Sequence, residues 1–220
     1  MALTTFGGIK AAAQDWLQRA DLSTVVAADL WSETVSMMYY GDRAPGTAEI
    51  PRLRIRQMVT SGTLTPDASG NITISSALGA NFLEIIELTP TYSGAQSLNY
   101  RDPWSYRKEA ALLYGVAPAQ MYTIEGDTLL TAPSTASTII AYWYQKFTAL
   151  SADGDTDWIV LNAPQVYLNG LLYQACAYLE DDRLGQFRAM FAGGIDALNQ
   201  NDKRARQSGA TKRSTPRAVA

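Results

Sequence analysis

Histidine is absent from the 220 residues, and cysteine occurs once, at Cys176. The missing histidines exclude Ser–His and Cys–His catalysis, His-ligated metals and the usual pH switch. A single Cys makes neither an intrachain disulfide nor a Cys-rich zinc site. It falls among apolar residues and reads as a small, half-buried core residue. Long hydrophobic runs are missing too. The longest uninterrupted one, Ile139 to Tyr144, is far too short to span a bilayer. The opening residues lack the basic-then-apolar layout of a signal peptide, so the expectation is a chain made and used in the cytoplasm, with no membrane partner. Charged residues are 18% of the chain, a low share that suggests some surface buried against other chains. Acidic residues are missing from the last 18 positions, which hold Lys203, Arg204, Arg206, Lys212, Arg213 and Arg217. The whole chain carries −3, so residues 1–202 carry −9 and the tail carries +6. An acidic body with a basic tail implies a tail that reaches for a partner.

Hydrophobic residues make up 47%, enough for a sizeable core. The length suits one large domain or two small ones. The organising stretch is Asp157 to Arg206. Leu168, Leu171, Leu172, Ala175 and Leu179 fall at steps of three and four, which is one helical face. Pro164 suits the first turn. Glu180, Asp181 and Asp182 interrupt the pattern and supply a cap for the next helix. Leu184, Phe187, Phe191, Ile195 and Leu198 then form a second stripe, so the two helices should be antiparallel neighbours. Gly193 and Gly194 inside that stripe read as close packing, with a bend as the other reading.

At the other end, Thr5 caps a first helix lined by Phe6, Ile9, Ala13, Trp16 and Leu17. A second helix follows from about Leu22, with Leu22, Val25, Val26 and Leu30 inward, and should fail by Gly41. Residues 41–51 read as a loop. Arg52, Arg54 and Arg56 alternate with Leu53 and Ile55, a strand or extended segment with one basic, solvated face. From Met58 the period becomes two. Val59–Thr65 and Asn71–Ser75 are strands joined by the turn cluster 66–70. Phe82–Leu88 and Gln96–Tyr100 add two more. A short helix starts at Pro103 and runs to about Tyr114. Met121–Ile124 and Thr128–Ala132 form a hairpin, and Ile139–Phe147 is the last strand. Short links imply an antiparallel sheet.

The predicted class is α+β. N-terminal helices and a long C-terminal helical hairpin form one bundle, with the sheet inserted. The expected layout is one domain over 1–206: N-terminal helices and loop over 1–57, the sheet with its short helix over 58–150, and the hairpin over 157–206. Residues 207–220 form a flexible basic tail, unordered until bound.

Three constellations have residue types suited to chemistry. Asp153, Asp155 and Asp157 have D-x-D-x-D spacing, but a calcium loop needs Gly after the third acid and Glu at its twelfth position. Trp158 and Pro164 stand there, so Asp157 reads as a helix cap. Glu180, Asp181 and Asp182 are consecutive and do not face one another across a cleft, as acid/base pairs must. Tyr142, Trp143 and Tyr144 could stack a sugar or base, but read as half core and half interface. No phosphate loop, G-x-S-x-G elbow or H-E-x-x-H is present. The expectation is a non-enzyme with no cofactor and no metal.

The order of several stretches resembles the phage head–tail adaptor family. TTFGGIKAAAQDWLQRADL at the start is similar to the family's opening. Leu78 to Glu84 resembles its L-P-x-D-F-L-E turn, with Gly79 and Asn81 in place of Pro and the acid. Tyr122 to Asp127 resembles its Y-x-I-x-G-n hairpin. Tyr142 to Leu150, with Trp158 and Ile159, resembles its Y-Y-x-x-x-P-x-L…N-W-L segment. Ala163 through Asp182 resembles its A-P-x-x-Y helix ending in D-D, and Asp202 to Arg206 its D-x-R-A-R end. The loop after the second helix looks like an insertion. The resemblance implies a virion protein at the head–tail interface, made in the host cytoplasm. It implies a ring of copies, commonly twelve, coaxial with the portal. Its partners would be the portal ring, tail or stopper/nozzle proteins, copies of itself, and genomic DNA passing through. The expected portal-binding residues are those of the basic tail: Lys203, Arg204, Arg206, Lys212, Arg213 and Arg217. Other classes considered are a different tail or baseplate component, a carboxylate-dependent tail hydrolase, and a nucleic-acid module acting through the tail.

Overall fold

The computed structural model describes residues 3–18, 29–43, 49–92, 94, 96–113, 118–134 and 138–208. The class is α+β, as the sequence implies. In chain order the first elements are α1 (Phe6–Leu17), α2 (Trp31–Tyr40), β1 (Val59–Leu64), β2 (Asn71–Thr73), α3 (Ile74–Ala77) and β3 (Phe82–Pro90). Then come β4 (Asn99–Tyr100), α4 (Pro103–Leu112), β5 (Met121–Glu125), β6 (Thr128–Ala132) and β7 (Ile139–Gln145). The chain closes with α5 (Trp158–Asn162), α6 (Pro164–Leu179) and α7 (Leu184–Ser208). Contacts divide the chain into two compact units, Met1–Gln57 with Ala149–Ala220, and Met58–Thr148.

The first unit is helical. α6 packs against α7, and α1 and α2 pack against α6. The Thr5 hydroxyl accepts the Gly8 amide at 3.2 Å and starts α1, as its sequence position predicts. The buried stripe of α1 is Phe6, Ile9, Ala12, Ala13 and Leu17. Trp16 was expected in it but is 54% exposed. Its ring lies edge-on to Phe187 at 6.2 Å, so it covers the end of the α1 stripe from the side while part of it meets solvent. An aromatic chain ties three helices, with Phe6 to Trp31 at 4.6 Å and Trp31 to Tyr167 at 4.8 Å between ring centres. Leu22, Val25 and Val26 lie outside the described residues; Leu30 is buried. α2 ends at Gly41 as expected.

α6 is buried over more than one face, including Val166, Tyr167, Gly170, Gln174 and Cys176 besides the predicted Leu168, Leu171, Leu172 and Ala175; the predicted Leu179 is only half-buried. Cys176 is fully buried rather than half-buried. Gly170 carries the tightest helix packing: a Cβ there would sit 2.6 Å from Thr34 Cγ2 and 2.9 Å from Phe191 Cε2. At Gly194 it would meet Val166 Cγ2 at 3.1 Å, whereas at Gly193 nothing lies within 4 Å. The close-packing reading therefore holds for Gly194, and α7 runs on without a break through both. The Asp157 carboxylate accepts the Val160 amide at 2.8 Å, the predicted cap of α5.

The second unit is a stack of layers. β7 is the centre of a three-stranded antiparallel sheet, β1-β7-β3, and the four-stranded sheet has the order β2-β6-β5-β4. β1 and β2 were expected to be joined as neighbours in one antiparallel sheet; they lie in different sheets. The 66–70 turn is closed locally, with Asp67 Oδ1 accepting the amides of Ser69 and Asn71 and the Asp67 amide donating to the Asn71 carbonyl at 2.9 Å, but beyond it β1 takes β7 as its partner and β2 takes β6. β4 runs parallel to β5, because α4 lies between them and carries the chain back. Leu64, Leu88, Ile139, Ala141 and Trp143 from the first sheet share one core with Ile72 and Leu129 from the second. On the far face of the second sheet, Met121 and Ala132 pack against Tyr106 of α4. The layer order is three-stranded sheet, four-stranded sheet, α4. Gly79 has φ 82, a conformation closed to proline, which accounts for the departure from the L-P-x-D-F-L-E pattern.

Candidate functional site

The basic end of α7 is built on a buried acid. Asp202 is 7% exposed. One of its carboxylate oxygens accepts the Arg56 backbone amide at 3.2 Å, and the other meets Arg206 Nη2 at 2.7 Å, one turn along the helix. Arg56 Nε also lies 3.6 Å from Asp202. One turn back, Asn199 accepts the Arg54 amide at 2.9 Å and donates to the Arg52 carbonyl at 2.8 Å.

These bonds explain why residues 51–55 are extended yet form no strand. Leu53 and Ile55 are buried, so the predicted alternation is real. The ladder partner, however, is a pair of helix side chains three residues apart, which lie on one face of α7. The consequence is a basic cluster: Arg52, Arg54 and Arg56 stand beside the helix end that carries Lys203, Arg204 and Arg206. Arg54 is held by the Tyr39 and Leu53 carbonyls at 3.0 and 2.7 Å. Arg52 donates to the Tyr40 carbonyl at 3.1 Å. Arg56, Lys203, Arg204 and Arg206 present exposed cationic side chains. Of the predicted tail residues, Lys203, Arg204 and Arg206 thus share one helix end. Lys212, Arg213 and Arg217 lie outside the described residues. The sequence reading missed that Arg52, Arg54 and Arg56 join this cluster. The signal was present in the Arg alternation and in Asn199 and Asp202 at a spacing of three, but nothing local connects positions 146 residues apart.

The remaining candidates resolve into structural bonds. Asp153 pairs with Lys10 at 2.6 Å. Asp155 Oδ2 accepts the amides of Ser151 and Ala152, both at 2.7 Å, and these backbone bonds hold its carboxyl below the usual range. Asp157 accepts the Tyr167 hydroxyl at 2.6 Å as well as the Val160 amide; burial nonetheless pushes its carboxyl up. Among the described residues no three acidic or Cys side chains cluster as metal ligands. Asp181 is gripped by Arg183, with Nη2 at 2.7 Å and Nε at 3.0 Å. That guanidinium, helped by the Arg183 amide, takes the Asp181 carboxyl down to about 2. Further along α7, the buried Arg188 reaches Asp42 at 2.7 Å and the Tyr173 hydroxyl at 2.6 Å. No described helix is long and apolar enough to cross a membrane.

The arrangement is electrostatic: a helix end bearing exposed cations around one internal acid, leading in sequence to three more cations. Exposed Lys and Arg side chains of this kind are able to make charge-assisted bonds to anionic groups. No curated protein matches the chain. The family model for the SU10 adaptor protein matches residues 4–216, nearly the full length. The chain therefore belongs to the SU10 adaptor protein family, a family of phage head–tail adaptors.

Proposed function

We propose that the protein is a structural connector that forms a ring under the portal, in twelve copies as the family resemblance implies. The ring joins the capsid vertex to the tail and lets genomic DNA pass. The observation that carries this reading is the cation cluster at the end of α7, organised on buried Asp202 and continuous with the basic residues beyond it. The portal is the partner assigned to Lys203, Arg204, Arg206, Lys212, Arg213 and Arg217; tail or nozzle proteins meet the other end. A body carrying −9 over residues 1–202 suits a conduit, because affinity for DNA comes from neutralising phosphates. The carboxylates a hydrolase would need are engaged instead in a cap, a turn and an ion pair.

The test is solution mass by light scattering for the full chain, alone and with the portal ring of the same phage, with and without residues 203–220. A ring-sized complex that is lost on truncation supports portal docking through the tail. No complex with either chain ends that assignment.

A further inference from the structure

We infer that the β unit joins neighbouring copies head to tail, its outer sheet face receiving α4 of the next copy. The inference rests on the ring reading and names the surfaces that build the ring.

The two surfaces lie on opposite sides of one layered unit. On one side, β7 turns Ile139, Ala141 and Trp143 into the core and leaves Ile140, Tyr142 and Tyr144 outward. Ile140 and Tyr142 are 39% and 42% exposed. Register places Glu84 beside Tyr144 and Glu87 beside Tyr142 on this face. Glu84 and Glu87 are the only charged residues of β1, β3 and β7. Ile86, between them at the β-bulge, is 44% exposed. The face is an apolar column with an acidic border.

On the other side, α4 buries Tyr106 against the second sheet. Its opposite side carries Trp104, Lys108 and Leu112 at steps of four, one above another. Trp104 is 70% and Leu112 82% exposed, and the Lys108 ammonium sits 4.6 Å over the Trp104 ring. Arg107 on the same helix pairs with Glu125 at 2.9 Å, and Glu109 with Arg101 at 2.9 Å. This face is an apolar stripe with a cation at its centre.

Trp104 and Leu112 lie on one helix face with Lys108 between them, a surface with the make-up of an interface rim and anchor. The complement is on the same chain: apolar column to apolar stripe, carboxylate border to Lys108. Two different patches on opposite sides of one unit cannot satisfy each other within a copy, nor by a two-fold pairing. They make a heterologous contact, which closes into a ring when the rotation per copy allows and otherwise runs on as an open filament.

Cysteine pairs test it on the full chain. Cys176 is fully buried and stays out of the reaction. Trp104→Cys and Tyr142→Cys are made singly and together, then treated with a short bis-maleimide, alone at high concentration and with the portal ring. The double variant should give a ladder of cross-linked multimers. The two single variants mixed should give dimers and nothing larger, and each single variant alone should give none. Leu112→Glu should shift ring-sized species to monomer with an unchanged melting temperature. If the unmodified chain forms rings and the double variant gives no ladder, the surfaces are wrong and the ring reading stands. If the unmodified chain forms no ring alone or with the portal, both fall.

Discussion

Gly170 of α6 and Phe191 of α7 approach so closely that a Cβ on the glycine would sit 2.9 Å from Cε2 of the ring. Thr34 Cγ2 lies nearer still, at 2.6 Å, and cannot rotate away without giving up its bond to the Leu30 carbonyl. Gly170→Ala should therefore destabilise the helical unit by roughly 1–3 kcal/mol, the range for overpacking a core. Gly193→Ala should stabilise by up to about 1 kcal/mol through helix propensity alone, since nothing lies within 4 Å of that position. Urea unfolding of the two variants checks the opposite signs. A Gly170→Ala chain as stable as the parent would refute the packing argument.

Asp202→Ala should release residues 52–56 from α7. The part-buried Arg56 amide loses its acceptor and Arg206 its buried partner, at a cost of roughly 1 kcal/mol. Asn199→Ala should act in the same direction, and the double variant should fall short of the sum, because both residues hold one segment. Thermal melts of the three variants give the answer; full additivity would show two independent anchors.

Tyr167→Phe removes a buried donor from Asp157. The expected loss is about 1–3 kcal/mol, greater at neutral pH than in acid, because the ionised carboxylate needs the hydroxyl most. Melts at neutral and acid pH would check this, and equal losses at both would count against it.

Acid should weaken the fold. The carboxyls of Asp67, Asp102, Asp155 and Asp181 are held below their ordinary values by backbone and side-chain hydrogen bonds. A lowered folded value means stability that is present above the unfolded value of about 3.9 and lost as pH falls through the folded one. The loss should begin near pH 4 and, for Asp181, continue to about 2. Asp157 opposes it, since its raised value favours the protonated folded form. Asp155→Asn should flatten the acid limb of stability against pH, while Asp157→Asn should steepen it; denaturation curves over that range decide.

Lys203→Glu with Arg204→Glu should weaken capture by the portal ring and reduce its sensitivity to salt, because fewer charge-assisted contacts remain to be screened. Binding measured at two salt concentrations checks this, and unchanged affinity would remove these residues from the docking surface.

Much of this was legible from local pattern. Thr5, Pro164 and Asp157 announced their helix starts because capping is a matter of adjacent residues. The Glu125-Gly126-Asp127 hairpin and the α6–α7 pair followed from turn chemistry and spacing. What escaped was non-local. β1 and β2 read as neighbours because only a few residues separate them, yet β1 pairs with β7, and nothing between positions 59 and 144 says so. Trp16 read as core because its spacing puts it on the inward face, yet a ring that size is only partly covered there, by its edge contact with Phe187. Arg52, Arg54 and Arg56 read as a solvated face, and their place beside the end of α7 depended on Asn199 and Asp202, far along the chain.

The helical unit is split, with α1, α2 and residues 52–56 before the β unit and α5 to α7 after it. This sets an order of birth. The β unit's strands are complete once Gln145 is made. The N-terminal helices must wait for their packing partners, and Arg56 waits 146 residues for Asp202, about 7–30 s at ~5–20 residues per second. During that interval the nascent chain carries a finished sandwich and two orphaned helices with Phe6 and Trp31 uncovered. A premature stop before α6 would leave them so permanently, a ready substrate for chaperones and proteases rather than for assembly.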